Sequence, residues 1–217
     1  MTIDARPLAE FWDTLPIQSV QFGEVRRDQV SGTGGGGTLA YDLGGMLFHG
    51  VVTLDTMRWS EARRVHGLLR SLRGPADLFY ATDPLCAAPA FDPGGALLSA
   101  GPSTVTIDTI DDETGEVTFA GLPADYQLAI GDMFDVVFGS PERQALFSID
   151  ADVTADGDGV TDATSVSPPL WNGIVAGADV TLIRPAGVFF VVPGSDRRGA
   201  SMRGKVSGST FEIMQKL

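Results

Sequence analysis

Asp150, Asp152, Asp156, Asp158 and Asp162 crowd five carboxylates into thirteen residues, and hard oxygen ligands at short spacing are what a calcium ion needs. The spacing is not that of a helix–loop–helix calcium site: Asp150, Asp152 and Asp156 miss its 1, 3, 5 pattern and no Glu closes a twelve-residue loop. Asp-Gly steps are also common turn signals. A solvated turn is expected, with Asp150, Asp152, Asp156 and Asp158 as a candidate cation site. Gly32-Thr33-Gly34-Gly35-Gly36-Gly37 invites comparison with a phosphate-binding loop. It lacks the lysine and following Ser or Thr of that motif, and no helix pattern starts after it. The reading is a flexible hairpin tip whose Gly34, Gly35 and Gly36 become ordered against a neighbouring subunit.

Two histidines, His49 in a β-rich run and His66 in a helical one, supply little for a Ser-His-Asp or two-His metal site. Each reads as a packing or interface residue. Nothing around Cys86 suggests a base, so it reads as a small buried apolar residue, and a lone cysteine allows no internal disulfide, which fits a reducing cytoplasm. Carboxylate pairs are too numerous to single out a glycosidase dyad. No catalytic residue and no cofactor is assigned, and a non-enzyme is expected.

Glycine (27 residues) and proline (13) punctuate the chain so often that its elements must be short, and between turns the apolar residues alternate, as strands require. Thr38 to Asp42 and Met46 to Leu54, joined by Gly44-Gly45, read as a hairpin. Thr210 to Leu217 reads as a strand with Phe211, Ile213 and Leu217 on one face and Glu212, Met214 and Lys216 on the other. From Ser60 to Arg73, Ala62, Val65, Leu69 and Leu72 recur at helical spacing, with Ser60 as N-cap and Gly74-Pro75 as the stop. This helix should pack on one face of a sheet. Its Arg63, Arg64, Arg70 and Arg73 form a basic flank placed to meet carboxylates of an adjoining subunit. Further along, Thr104–Ile110 and Glu116–Phe119, joined through Gly115, and then Met133–Phe138, Gln144–Ile149, Thr164–Ser167 and Asp179–Ile183 give about six short strands, the count of a small closed barrel or sandwich.

Charge is segregated. Residues 96–183 hold fifteen of the 28 carboxylates and, of the fifteen basic residues, only Arg143, a formal −14; the remainder has fourteen basic against thirteen acidic residues. Near-neutral sequence on both sides of an acidic block predicts one domain, 96–183, inserted into a host formed by 1–95 and 184–217, each long enough for its own core. The fold class expected is mainly β: a sandwich or barrel with one flanking helix, plus an inserted small β-barrel. A hydrophobic content of 43% and a mean hydropathy of +0.11 argue for a folded chain. No apolar run suits a bilayer span, and residues 1–10 lack a signal-peptide pattern, so a soluble, non-secreted product is expected. A net charge of −13 disfavours sequence-independent nucleic-acid binding, which needs clustered cations, but suits a surface past which DNA moves without sticking.

The order of features is similar to one group of proteins. Phe11-Trp12-Asp13-Thr14-Leu15-Pro16 opens the chain; a Gly-rich tip, a hairpin and Trp59-Ser60-Glu61-Ala62-Arg63 follow, then Leu72-Arg73-Gly74-Pro75, Phe79-Tyr80 and Asp83-Pro84. In the second half come Ala120-Gly121-Leu122-Pro123-Ala124-Asp125-Tyr126, Gly131-Asp132, Val180-Thr181-Leu182-Ile183-Arg184-Pro185 and Val192-Pro193-Gly194-Ser195. This series resembles the distal tail proteins of long-tailed, non-contractile (siphovirus-like) phages and of gene transfer agents, over nearly the whole length but without a catalytic signature.

The resemblance implies a structural virion protein at the distal end of the tail, assembled in the host cytoplasm. A tail-tube-like β domain would form a six-fold ring joining tail tube to baseplate hub around a DNA channel, with the inserted domain projecting outward. Its partners would be copies of itself, the tube protein and the hub protein, with no membrane and no specific nucleic acid. One departure stands out: better-known members carry their second domain after the tube-like one, whereas here the chain returns at Arg184, so sugar binding is not carried over. A receptor- or carbohydrate-binding module of the tail tip is the competing class.

Overall fold

A computed structural model describes residues 4–26, 28–32, 34–42, 45–101, 104–111 and 113–217. The chain first lays down β1 (Ala5–Arg6), β2 (Ile17–Val25), β3 (Asp28–Gly32), β4 (Thr38–Asp42), β5 (Leu47–Leu54), β6 (Met57–Arg58), helix α1 (Trp59–Ser71) and β7 (Leu78–Ala81). It continues through the short helix α2 (Ala96–Ala100), β8 (Val105–Ile110), β9 (Val117–Ala120), β10 (Gln127–Leu128), β11 (Met133–Phe138), β12 (Arg143–Ile149), β13 (Val153–Thr154), β14 (Val166–Ser167) and β15 (Asp179–Thr181). It then returns as β16 (Gly187–Val191), β17 (Ala200–Met202), β18 (Lys205–Ser207) and β19 (Thr210–Gln215). The protein is mainly β.

A six-stranded sheet in the order β1-β7-β16-β19-β5-β2 joins the start of the chain to its end. Alternation in two of its strands turns one face inward: β5 buries Phe48, Gly50, Val52 and Leu54, and β19 buries Phe211, Ile213 and Gln215. At Gly50 a Cβ would come within 2.9 Å of Ile213 Cγ1, so the crossing with β19 needs glycine. Helix α1 sends Ala62, Val65 and Leu69 into the same cluster as Phe48, Val52, Phe79 and Phe211. Burying each Val or Leu stabilises by about 1.5–3 kcal/mol. Phe11 and Trp12, held on two short 3-10 turns, close the cluster against Phe79, with ring centroids 4.4 and 6.4 Å from it.

Two local expectations need correction. Thr38 to Asp42 does not pair with Met46 to Leu54. It folds back over the glycine tip onto Asp28–Gly32, while β5 is taken by β2 on one side and β19 on the other. Gly44, half of the proposed turn, lies outside the described residues. Ser60 is not the helix N-cap: Arg58 holds that position at φ −71°, ψ 156°, without a side-chain cap. Strand β6 runs straight into the helix, and the Trp59 amide donates to Gly204 O at 3.2 Å. A carbonyl of the β17–β18 hairpin thus serves an end that a serine hydroxyl would otherwise serve.

The second sheet, β14-β12-β11-β15-β8-β9, curls round on itself. Val117 and Thr164 exchange two backbone hydrogen bonds of 2.9 Å, tying strand β9 to the segment that leads into β14 at the opposite edge and leaving little edge open. Phe119, Phe134 and Phe147 fill the interior, with centroids 5.1 and 5.3 Å apart. The outward side of β11 and β12 is not free. Met133 and Leu146 join the cluster of the first sheet. Asp135 accepts from the Ala186 amide at 2.8 Å and from Gln144 Nε2 at 3.0 Å, and Gln144 Nε2 also donates to Ala186 O. Gly187 allows this approach, because a Cβ there would lie 2.9 Å from Phe189 Cε2 and 3.4 Å from Leu146 Cβ.

Candidate interaction surfaces

Strands β3 and β4 form a two-stranded sheet of their own. Gln29 faces Tyr41, Val30 faces Ala40 and Ser31 faces Leu39, so Leu39 and Tyr41 share a face and Val30 lies on the other. All three are exposed, at 48%, 62% and 66%. At the tip Gly36 takes φ +83°, and a Cβ on Gly34, Gly35 or Gly36 would meet nothing within 4 Å. The glycines therefore stand in open space at the end of an arm with exposed apolar sides. A lone hairpin is marginal in water, which makes this arm the first candidate surface.

Of the four helix arginines, Arg63, Arg64 and Arg70 are exposed and no ion pair reaches them among the described residues. Arg73 behaves differently. It lies past the end of α1 and clamps Asp77, its Nε and Nη2 donating to the two carboxylate oxygens at 3.0 and 3.2 Å. Those bonds hold the Asp77 carboxyl down to about 2. Arg73 stays exposed as an interface candidate, but its charge is already matched within the chain.

The sequence reading misses a second basic group beside the first. Strand β18 pairs with β17 on one side and with β6 on the other, which brings Arg197, Arg198, Arg203 and Lys205 next to Arg58 and the helix. Four cations in nine residues are the available signal, hidden by averaging over a neutral host. Between helix and hairpin lies a cleft of about 510 Å³ lined by Trp59, Arg63, His66, Ser201 and Val206. Trp59 is 53% exposed, and Met202, on the other face of the hairpin beside Lys205, is 68% exposed. His66 Nε2 lies 3.3 Å from Ser209 Oγ, a buried hydroxyl that donates to Arg198 O at 2.9 Å, and His49 Nε2 lies 3.3 Å from Glu212 Oε2.

The aspartate cluster does not converge. Asp152 accepts from the Ile130 amide, Asp156 accepts from Asp158 and Val160 amides, and no group of three or more metal-binding side chains gathers among the described residues. These carboxylates cap backbone amides of separate turns. Cys86 is half-buried, its thiol 3.6 Å from Gly131 O and pushed up to about 11 by burial and by Asp83 and Asp132, so it is a poor thiolate. At one end of the curled sheet, Val137, Phe138, Glu142 and Val175 line a further open cleft of about 400 Å³. No helix among the described residues is long and apolar enough to cross a membrane. No family model matches the chain, and no curated protein matches it.

Proposed function

We propose that this chain is a structural ring subunit of a phage-like tail, a distal tail protein that assembles six-fold between tail tube and baseplate hub around a channel for DNA. The observation that carries the reading is the arm Asp28–Asp42, whose Val30, Leu39 and Tyr41 are exposed on a hairpin that pairs only with itself among the described residues. An arm of this kind needs a neighbouring surface to cover it, and a second copy repeated by rotation supplies one at every position of a closed ring. The six-stranded sheet with a single packed helix agrees with the tail-tube-like domain that the sequence resemblance implies. The curled second sheet, carrying nearly all the unbalanced negative charge, is then the part that projects outward.

Native mass spectrometry and negative-stain electron microscopy of the purified chain test the reading. A closed oligomer of 22.8 kDa subunits with rotational symmetry is expected, as is labelling at the tail end of intact particles. A monomer at high concentration, absent from particles or bound to host-surface polysaccharide, would replace it with the receptor-binding reading.

A further inference from the structure

The two segments that form the corner around α1 and the β17–β18 hairpin, residues 57–71 and 195–208, hold Arg58, Arg63, Arg64, Arg70, Arg197, Arg198, Arg203 and Lys205 against Glu61 and Asp196 only. More than half of the basic residues of a chain of net charge −13 thus sit in one place. Register makes the crowding tighter. Lys205 lies directly opposite Arg58 on one side and Met202 on the other, so the three share a face, and like charges directly opposed across strands are destabilising. Among the described residues none of these eight cations has an ion-pair partner; the ion pairs present are His49–Glu212, Arg73–Asp77 and Arg184–Asp13. Among the cations stands exposed Trp59, which lines the open cleft with Arg63, Ser201 and Val206, while exposed Met202 lies on the other face of the hairpin beside Lys205 and Arg58. An exposed aromatic anchor at a cleft inside a charged rim is the anatomy of a protein-docking surface.

The complementary surface lies on the chain itself. Strand β8 is antiparallel to β15 and β15 to β11, so β8 and β11 run the same way and the turns that follow them lie at the same end of the curled sheet. That end carries Asp111, Glu113, Glu116 and Glu142. It also carries the cleft whose Val137 and Val175 are 42% and 64% exposed. Arg143, the only cation of the acidic segment, sits over the Phe138 ring at 5.3 Å. We infer that the basic corner of one copy docks head-to-tail on this acidic end of the next copy, with Trp59 against the Val137–Val175 cleft. The inference rests on the ring reading and adds to the arm a second contact between copies, in which the outward-projecting curled sheet turns only its acidic end to the neighbour.

Two double variants test it in the full-length chain. Arg63→Glu with Lys205→Glu lowers the formal charge of the corner from +6 to +2 and leaves the fold intact, since both side chains are exposed and a glutamate at 205 faces Arg58. Glu113→Lys with Glu142→Lys reverses the acidic end. Each variant alone should associate at least about tenfold more weakly than wild type by sedimentation, while an equimolar mixture should recover one-to-one pairs, because one intact surface of each kind remains. Circular dichroism checks folding of each variant. As a measurement free of mutation, wild-type association should weaken steeply as salt is raised. A wild-type oligomer that both variants form unchanged would overturn the docking inference and leave the ring reading standing. A monomeric wild type would remove the ring reading, and the docking with it. Salt-sensitive binding of a short DNA duplex that is lost in the corner variant, with assembly unchanged, would assign the corner to nucleic acid instead and also overturn it.

Discussion

Asp135→Asn should flatten the pH dependence of stability. Asp135 is 3% exposed, and burial pushes its carboxyl up to about 6 from an ordinary 3.8, although the Ala186 amide and Gln144 both favour the charged form. Because the native value is the higher one, the folded chain binds the proton more tightly than the unfolded chain. Stability from this group is therefore fully present below about pH 4 and is lost as pH rises through about 6. A separation of about two pH units between the native and unfolded values corresponds to about 3 kcal/mol of stability lost by pH 7. Asparagine is neutral throughout and escapes that loss. Its amide nitrogen would face Gln144 Nε2, and turning the Gln144 amide would sacrifice the bond to Ala186 O, a constant cost of about 1 kcal/mol. The difference between variant and wild type, from urea unfolding followed by tryptophan fluorescence, should thus move by about 3 kcal/mol in favour of the asparagine variant between about pH 4 and about pH 7. The many exposed carboxylates add a background slope that is common to both proteins and cancels. Parallel stability curves over that interval would refute the argument and show that the Asp135 carboxylate is fully compensated by its hydrogen bonds.

Three further outcomes are expected. Leu39→Ser with Tyr41→Ser should change monomer stability by less than about 0.5 kcal/mol, since both side chains are exposed, yet lower assembly measured by light scattering; unchanged assembly would remove the arm from the interface. Gly187→Ala should destabilise by about 1–3 kcal/mol through overpacking against Phe189 and Leu146, and a neutral melting temperature would show that the seam gives way. A fragment of residues 96–183 should fold by circular dichroism, because its interior closes around Phe119, Phe134 and Phe147, but it should bind a hydrophobic dye through uncovered Met133 and Leu146; a random-coil spectrum would mean that its core depends on the first sheet.

The helix is legible because its signal is local. Ala62, Val65 and Leu69 must fall on one face whatever the rest of the chain does, and they do. Its start is hidden for a non-local reason: Gly204, more than 140 residues away, supplies the carbonyl to Trp59. Strand pairing fails the same way. Alternation marks Thr38–Asp42 and Leu47–Leu54 as strands but does not choose their partners, and glycines at 44 and 45 suggest a turn where Ile17–Val25 and Thr210–Gln215 compete better for β5. Asp135 leaves only a faint trace, a lone carboxylate inside the apolar run Met133–Phe138, with no way to see that Ala186 and Gln144 would surround it. The basic corner is hidden because its two halves, 57–71 and 195–208, are remote in sequence and meet only through the pairing of β6 with β18.

Within one copy most buried polar groups at the seam are matched: Asp135 has two donors, Ala186 uses both its amide and its carbonyl, and Gln215 Oε1 accepts from the Phe48 amide, with Gln215 Nε2 left over. The surfaces are matched far less well. Arg58 and Lys205 repel across a ladder, Trp59, Met202, Leu39 and Tyr41 face water, and the opposite charge collects at the far end of the other sheet. Attraction between different patches of identical copies is heterologous, so each added copy presents a fresh unsatisfied corner until rotation brings the last back to the first. A free corner on a chain that stayed monomeric would keep the repulsion without relief, and the proposed closure would remove it from every copy.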